Sequence, residues 1–335
     1  MSEPSTIENS SALITGATGF IGSHLTDYLL SLGCRVHCLI RKTSGLPWLD
    51  RSRVHLHTVD LTQPGYLGDC LQDIQYVFHC AGLTQAKTRK EYNRINADAC
   101  APLYETCAAK GKRLRAVVHL SSLAAVGPAT PDRPVDENSP CNPLTFYGHS
   151  KLAGEKIAQR FSSTLPMLIL RPPVVYGPRE KNFFAYLQTI YRGLNLQIGK
   201  TRRLLSLIYV KDLVRAMARA AVQPIGKENV FFVTDGNVYT WEEVGQTATR
   251  ILDVQTRSVT IPEKALPPIA LLCEMAARLR SKPALLDRQR ALEMRQDSWT
   301  ALSKKFFNHF EFQPQYDLNR GLAETLEWYK NQRWL

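Results

Sequence analysis

Tyr147 and Lys151, in the run Tyr147-Gly148-His149-Ser150-Lys151, stand four residues apart. On a helix that spacing puts a phenol and an ammonium on one face. A cation beside a phenol favours the phenolate and draws its pKa from about 10 toward neutrality. A phenol tuned in this way can exchange a proton with a substrate hydroxyl while a hydride leaves or reaches the carbon. Solvated helix faces carry the same spacing, so a third group has to converge on the pair. Ser122, just past the apolar run Ala116 to Leu120, is the candidate. Its hydroxyl could hold the substrate oxygen.

Hydride chemistry needs a carrier and a place to hold it. Ala12-Leu13-Ile14-Thr15-Gly16-Ala17-Thr18-Gly19-Phe20-Ile21-Gly22 is an apolar run that breaks into three glycines spaced three apart. It reads as strand, tight turn and helix start. The glycines would allow the turn, the approach of a pyrophosphate to backbone, and close packing of helix on strand. The anion would sit on the free N–H groups and positive dipole end of the helix. Ser23 to Leu32 continues that helix, with Leu25, Leu29 and Leu32 on one face and Gly33 as its stop.

Arg35 to Ile40, Val54 to Val59, Gln75 to Cys80, Ala116 to Leu120 and Met167 to Leu170 read as further strands, with helical patterns between them. This alternation predicts an α/β fold: a doubly wound parallel sheet covered on both faces, with a smaller, mainly helical C-terminal lobe. In such sheets ligands gather at the carboxyl ends of the strands. The second strand ends in Arg41-Lys42, where a carboxylate would take the ribose hydroxyls of NAD. A guanidinium there matches a 2′-phosphate, which favours NADP over NAD, or else it is a solvated loop side chain. Asp60-Leu61 offers an acceptor for the adenine amino group, and the small residues of Ala81-Gly82-Leu83-Thr84 would let a dinucleotide lie against backbone. Prolines 128, 131, 134, 140 and 143 forbid a long helix before about Phe146, from which a helix runs to about Ser163.

As an ordered set these motifs resemble the extended short-chain dehydrogenase/reductases, the NAD-dependent epimerase/dehydratase-like family. The nearest pattern is the 3-beta-hydroxysteroid dehydrogenase and dihydroflavonol reductase branch. Thr15 to Gly22 is similar to that family's TGxxGxxG. Ser121-Ser122 and Tyr147 to Lys151 resemble its catalytic elements. Arg171-Pro172-Pro173-Val174-Val175-Tyr176-Gly177-Pro178 resembles its RPxxVYGP segment, and Tyr209-Val210-Lys211-Asp212-Leu213-Val214 its YVxDL segment. The likeness runs from residue 12 to about 235 and fades beyond. It implies a Rossmann domain of 1–176 with 204–235, a substrate lobe of 177–203 with 236–335, and a homodimer. It makes Tyr147 the acid/base, Lys151 the ligand of the nicotinamide ribose, and Ser122 the group that positions substrate. Cofactor contacts would come from Gly16, Thr18, Gly19, Phe20, Ile21, Gly22, Arg41, Asp60, Leu61, Ala81, Gly82 and Thr84, with Pro172 and Val174 near the carboxamide. Asn96 is expected to be a structural hydrogen-bonder, and His119 and His149 packing or surface residues.

Within that resemblance, Ser122-Leu123-Ala124 stands where 4,6-dehydratases carry Thr-Asp-Glu, which argues against dehydration. The expected activity is NADP-preferring interconversion of a secondary alcohol and a ketone on a steroid-, flavonoid- or lipid-like small molecule. A nucleotide-sugar epimerase or reductase is the alternative. The intact serine, tyrosine and lysine disfavour a non-catalytic NADP sensor.

The chain has 335 residues, 44% of them hydrophobic, and a formal charge of +12. That charge suits anionic ligands or an acidic membrane surface. The scattered Lys and Arg, without a nucleic-acid module, give no reason to expect DNA or RNA. Eight cysteines without CxxC or metal spacing read as reduced core thiols, with no metal expected. A polar N-terminus without signal-peptide character points to a cytoplasmic protein. Leu266 to Leu279, with Arg278 and Arg280, could lie on a membrane, cover the substrate site or form a dimer seam. Phe183, Phe184, Tyr186, Leu187, Ile190 and Tyr191 line an apolar pocket or fill the core of the lobe. Asp317 to Tyr329 should close that lobe as a helix.

Overall fold

The computed structural model describes residues 7–62, 70–223, 226, 229–279, 284 and 286–335. Arg280 and the side chain of Arg278 lie outside that set, as do residues 1–6 of the polar N-terminus. The first half of the chain builds β1 (Ser11–Thr15), α1 (Phe20–Ser31), β2 (Arg35–Ile40), β3 (His55–Thr58), β4 (Tyr76–His79), α2 (Arg89–Asn93), α3 (Cys100–Lys110), β5 (Ala116–Leu120), α4 (Phe146–Arg160) and β6 (Met167–Arg171). Then come β7 (Val174–Tyr176), α5 (Lys181–Tyr191), β8 (Leu194–Ile198), β9 (Leu204–Leu205), β10 (Leu207–Tyr209), α6 (Val210–Ala221) and β11 (Val230–Phe232). The last third supplies β12 (Tyr239–Thr240), α7 (Trp241–Leu252), β13 (Arg257–Ile261), α8 (Leu266–Leu279), α9 (Arg288–Met294), β14 (Ser298–Trp299), α10 (Lys304–Phe310) and α11 (Leu318–Asn331).

Seven strands pair in parallel in the order β11-β6-β5-β4-β1-β2-β3. Alternate residues of each strand feed opposite cores. Ala12, Ile14, Phe78, Val118 and Leu168 face α1 and α6, while Leu13, Val77, Val117 and Ile169 face α3 and α4. Burial on both sides is why these strands read as unbroken apolar runs. The strand order reverses between β1 and β4, where sheets of this kind hold ligands in a crevice at the carboxyl ends. The C-terminal part is mostly helical and has its own core of Tyr176, Phe183, Leu187, Ile190, Val244, Leu322, Leu326 and Tyr329.

Phe183, Leu187 and Ile190 are therefore core residues, whereas Tyr191 is exposed. Phe306 and Phe310 of α10 pack on Phe231 of β11, at ring separations of 6.1 and 5.0 Å. Phe306, Phe310 and Phe312 thereby extend the core on that face of the sheet. The proline-rich stretch is pinned by backbone bonds of Ala129 N to Ser298 O (2.9 Å) and Val135 N to Thr300 O (3.0 Å). All eight cysteines are free thiols. Among the described residues no helix is long and apolar enough to cross a membrane.

Candidate active site

The crevice is built from backbone first. Gly16, at φ +70°, turns the chain out of β1, and a Cβ on it would fall 2.7 Å from Ala81 N after β4. Only glycine allows the two loops to touch there. A Cβ on Gly22 would collide with Gly16 O, so α1 lies hard against the turn. Helix α1 starts at Gly19 with no side-chain cap and no acid in its first turn, which leaves its N–H groups for an anion. Thr18 is partly exposed beside them. Phe20 and Ile21 pack their side chains on the core of the C-terminal part, so what they offer a phosphate is backbone N–H. A dinucleotide fits this cradle.

Arg41 and Asp60 emerge from neighbouring strands at the same edge, and both are exposed. Asp60 accepts bonds from Thr62 N (2.9 Å) and Thr62 Oγ1 (2.7 Å), which lower its pKa, and Arg94 and Arg41 add to the effect. Arg94 is a cation of this corner that the sequence did not single out. Leu61 packs under it on the core below.

Asn96, in a π-helical turn at Arg94–Asp98, is buried and bonds the loop after β4 on both sides. Its Oδ1 accepts from Leu83 N (2.7 Å), and its Nδ2 donates to Leu83 O (3.0 Å) and Ser150 Oγ (2.8 Å). Asn96 thus fixes Ala81-Gly82-Leu83 to α4, the structural role expected of it. Thr84 is exposed, and its carbonyl accepts from Tyr92 OH at 3.4 Å. Pro172 O accepts from Leu123 N (2.8 Å), and Val174 stands partly exposed on β7.

Helix α4 carries the chemistry. Thr145 caps it, accepting from Gly148 N at 3.2 Å, and so sets the first turn on which Tyr147 rides. Tyr147 lies near enough to Ser122 for the serine hydroxyl to draw its pKa down, and Ser122 Oγ itself accepts from Ala124 N at 3.1 Å at the end of the β5 loop. Of the three residues expected to converge, Ser122 and Tyr147 come together, and Lys151 sits one turn on with its ammonium directed elsewhere. Lys151, one turn on and buried, donates to Leu120 O at 2.6 Å, and a Cβ on Gly82 would lie 3.8 Å from its Nζ. Burial pushes the Tyr147 phenol up to about 12; Ser122 pulls it down, while Glu293 and Tyr92 raise it further. The depressed phenol expected from the Tyr–Lys spacing is therefore not what these protein groups produce, because desolvation dominates and Lys151 turns to Leu120. Burial likewise lowers Lys151.

Below this pair lies a buried polar chain that the sequence did not reveal. Thr15 Oγ1 bonds His79 Nδ1 (2.7 Å), His79 Nε2 meets Cys100 Sγ (3.4 Å), and Tyr104 OH bonds His119 Nδ1 (2.6 Å). Among the described residues His79, Cys100 and His119 alone bring three metal-capable atoms together, within 4.8 Å. The charge of Lys151 acts on all three, which opposes a second cation there. His119 is buried and His149 exposed, as expected. At the far side of Tyr147, α9 reaches over from the C-terminal part. Glu293 Oε1 accepts from Thr145 Oγ1 (3.0 Å), and Gln289 Oε1 accepts from Phe146 N (2.8 Å).

A model of the NAD dependent epimerase/dehydratase family matches residues 12–233. The chain belongs to this family. It is an enzyme of the extended short-chain dehydrogenase/reductase type, a group of NAD-dependent epimerases, dehydratases and reductases. A ceramide reductase of Caulobacter vibrioides is 28% identical over 324 residues, covering 96% of this chain and 95% of that protein. A UDP-glucose 4-epimerase of Mycolicibacterium smegmatis is 28% identical over 343 residues, 95% and 98% of the two chains. Among solved structures, MoeE5 in complex with UDP-glucuronic acid and NAD superposes with a TM-score of 0.75 at 26% identity, covering 96% of this chain and all of that one.

Proposed function

We propose that the protein is an NADP-preferring oxidoreductase that interconverts a secondary alcohol and a ketone on a lipid-like substrate. The observation that carries the reading is the approach of Ser122 to Tyr147, with Lys151 one turn along and no acid within Ser122-Leu123-Ala124. That set can move one proton at one oxygen. No acid follows Ser122 in the chain, and the carboxylate that reaches Tyr147, Glu293, is held by Thr145 Oγ1 at 3.0 Å.

When bound, the nicotinamide supplies or takes the hydride. Ser122 holds the substrate oxygen and orients it toward Tyr147. In reduction the Tyr147 hydroxyl donates its proton to the oxygen as negative charge develops there, and in oxidation the phenolate takes it back. The raised phenol is protonated at neutral pH, which suits the reductive direction. Lys151 would hold the ribose at the loop carrying Gly82. Arg41 would hold the 2′-phosphate, and Asp60 the adenine end.

The full-length likeness to a ceramide reductase supports a lipid-like substrate, since it continues through the C-terminal part. Arg203 offers little to a nucleotide diphosphate, because its guanidinium is bound to Glu263 Oε1 at 2.5 Å and to the carbonyl of Ile198. The second reading, a nucleotide-sugar epimerase with recycled hydride, rests on the equal identity to the M. smegmatis enzyme.

Nicotinamide absorbance decides between them. The purified protein is assayed with NADPH and NADH against keto-lipids, ketosteroids, flavanones and nucleotide sugars. Oxidation of NADPH by an apolar ketone is expected. Conversion of a UDP-sugar to its epimer with no net redox change would overturn the proposal.

A further inference from the structure

Helix α8, Leu-Pro-Pro-Ile-Ala-Leu-Leu-Cys-Glu-Met-Ala-Ala-Arg-Leu, is apolar on both faces. Its inner face is accounted for: Leu266 and Ala270 are buried against Ala291 of α9, with Ile198, Ile261 and Leu286 around them. Its outer face is not. Ile269, Leu271, Leu272 and Met275 are exposed there, Leu272 to 66% and Met275 to 55%. A surface helix normally turns charged or polar residues to water, so four large apolar side chains on under two turns call for a partner.

The rim identifies the partner by charge. Lys200, Arg202 and Lys264 are exposed around the start of α8, and Arg288 at the start of α9. Of these, Arg202 stands 3.9 Å from Glu243 and Arg288 pairs with Glu274 at 3.2 Å. Glu263 is matched by Arg203 at 2.5 Å and Asp287 caps α9, so the rim's unmatched cations among the described residues are Lys200 and Lys264. An apolar centre with a basic rim is complementary to a bilayer with anionic headgroups. A twofold contact between two copies would set the same cations against each other, which opposes self-association through this face.

We propose that the outer face of α8 docks the enzyme on an anionic lipid surface. The proposal rests on the lipid-like substrate put forward above and says where that substrate is met. Helix α9, packed under α8, holds the first turn of α4 through Gln289 and Glu293. The docking face is thus one helix away from Tyr147. A lipid ketone leaving the bilayer would have that short distance to travel.

The test is co-sedimentation of the full chain with vesicles of phosphatidylglycerol and phosphatidylcholine, or of phosphatidylcholine alone, without substrate. Binding to the anionic vesicles is expected, weakened at least about tenfold by Leu272→Glu with Met275→Glu, and weakened by about 0.5 M salt. Leu272→Ser with Met275→Ser, which adds no charge, should lower binding in the same direction. Both variants should keep the melting temperature and the turnover of a short, water-soluble ketone. No binding by the unaltered protein would overturn the proposal, as would binding insensitive to both variants. So would a dimer that the variants dissociate while vesicle binding stays unchanged. Turnover of a detergent-dispersed keto-lipid without vesicle binding would sink the docking face alone. Vesicle binding lost in the variants, with no apolar ketone reduced, would support the face and sink the substrate reading.

Discussion

Thr145 does two jobs with one hydroxyl, so removing that hydroxyl should register at both. Its oxygen caps α4 through Gly148 N at 3.2 Å, and its proton goes to Glu293 Oε1 at 3.0 Å. Thr145→Val keeps the shape and deletes both bonds. Loss of an N-cap costs about 1 kcal/mol. A lost hydrogen bond to a carboxylate costs about 2 kcal/mol, and here burial already raises the pKa of Glu293. The variant should therefore lose about 3 kcal/mol, which for a chain of this size lowers the melting temperature by about 4 °C. Thr145→Ser keeps both bonds and should stay within about 1 kcal/mol of the parent. Calorimetry, or denaturant melts followed by circular dichroism, would read both, and a double-mutant cycle with Glu293→Ala should give a coupling of about 1–2 kcal/mol. Equal melting of the Val and Ser variants, or a coupling below about 0.5 kcal/mol, would refute the clamp.

Three further outcomes are expected. Arg41→Asp should raise the Michaelis constant for NADPH about 10- to 100-fold and lower that for NADH, and an unchanged ratio would remove Arg41 from the 2′-phosphate. Tyr147→Phe should cut turnover by about 10²–10⁴ with the melting curve preserved, and a near-normal rate would assign the proton to another group. In the free protein, the ultraviolet difference between wild type and Tyr147→Phe should show no phenolate from Tyr147 below about pH 10, because the group's pKa is raised and it ionises only as pH climbs through the folded value. A phenolate signal near neutrality would show that Lys151, not burial, governs the site.

Elements whose signal is local were readable. β2 and β5 begin and end where the apolar runs do, at Arg35–Ile40 and Ala116–Leu120, because both faces are covered. The edge strand β3 is shorter than its run: the sequence suggests Val54 to Val59, and the strand holds only His55–Thr58. α4 stops at Arg160 rather than Ser163, since Ser162 and Thr164 bond back into turns at Gln159 O and Phe161 O. Hydroxyl side chains favour such turns over helix. The convergence of Ser122 and Tyr147 was legible because each ends or begins an element at the same sheet edge. The partners of Thr145 were not, because 148 residues separate it from Glu293 and no spacing rule spans that distance.

Protonation state was the least legible part, and it decides how Lys151 works. Burial lowers His79 to about 3 and raises Cys80 and Cys100 to about 12, so these three neighbours are neutral at pH 7. Each shift comes first from desolvation; the charge of Lys151 adds to it at His79 and opposes it at both thiols. As bare sequence, His79, Cys80 and Cys100 are two kinds of titratable group that could have screened or competed with an ammonium. Folded, they form a neutral shell, with the ammonium held at Leu120 O and its field open toward Gly82. A single fixed cation at the carboxyl edge of β5 is what a ribose hydroxyl pair and a proton-donating phenol one turn away both require. The glycine at 82 matters for the same reason: a side chain there would come between that cation and whatever lies on the loop.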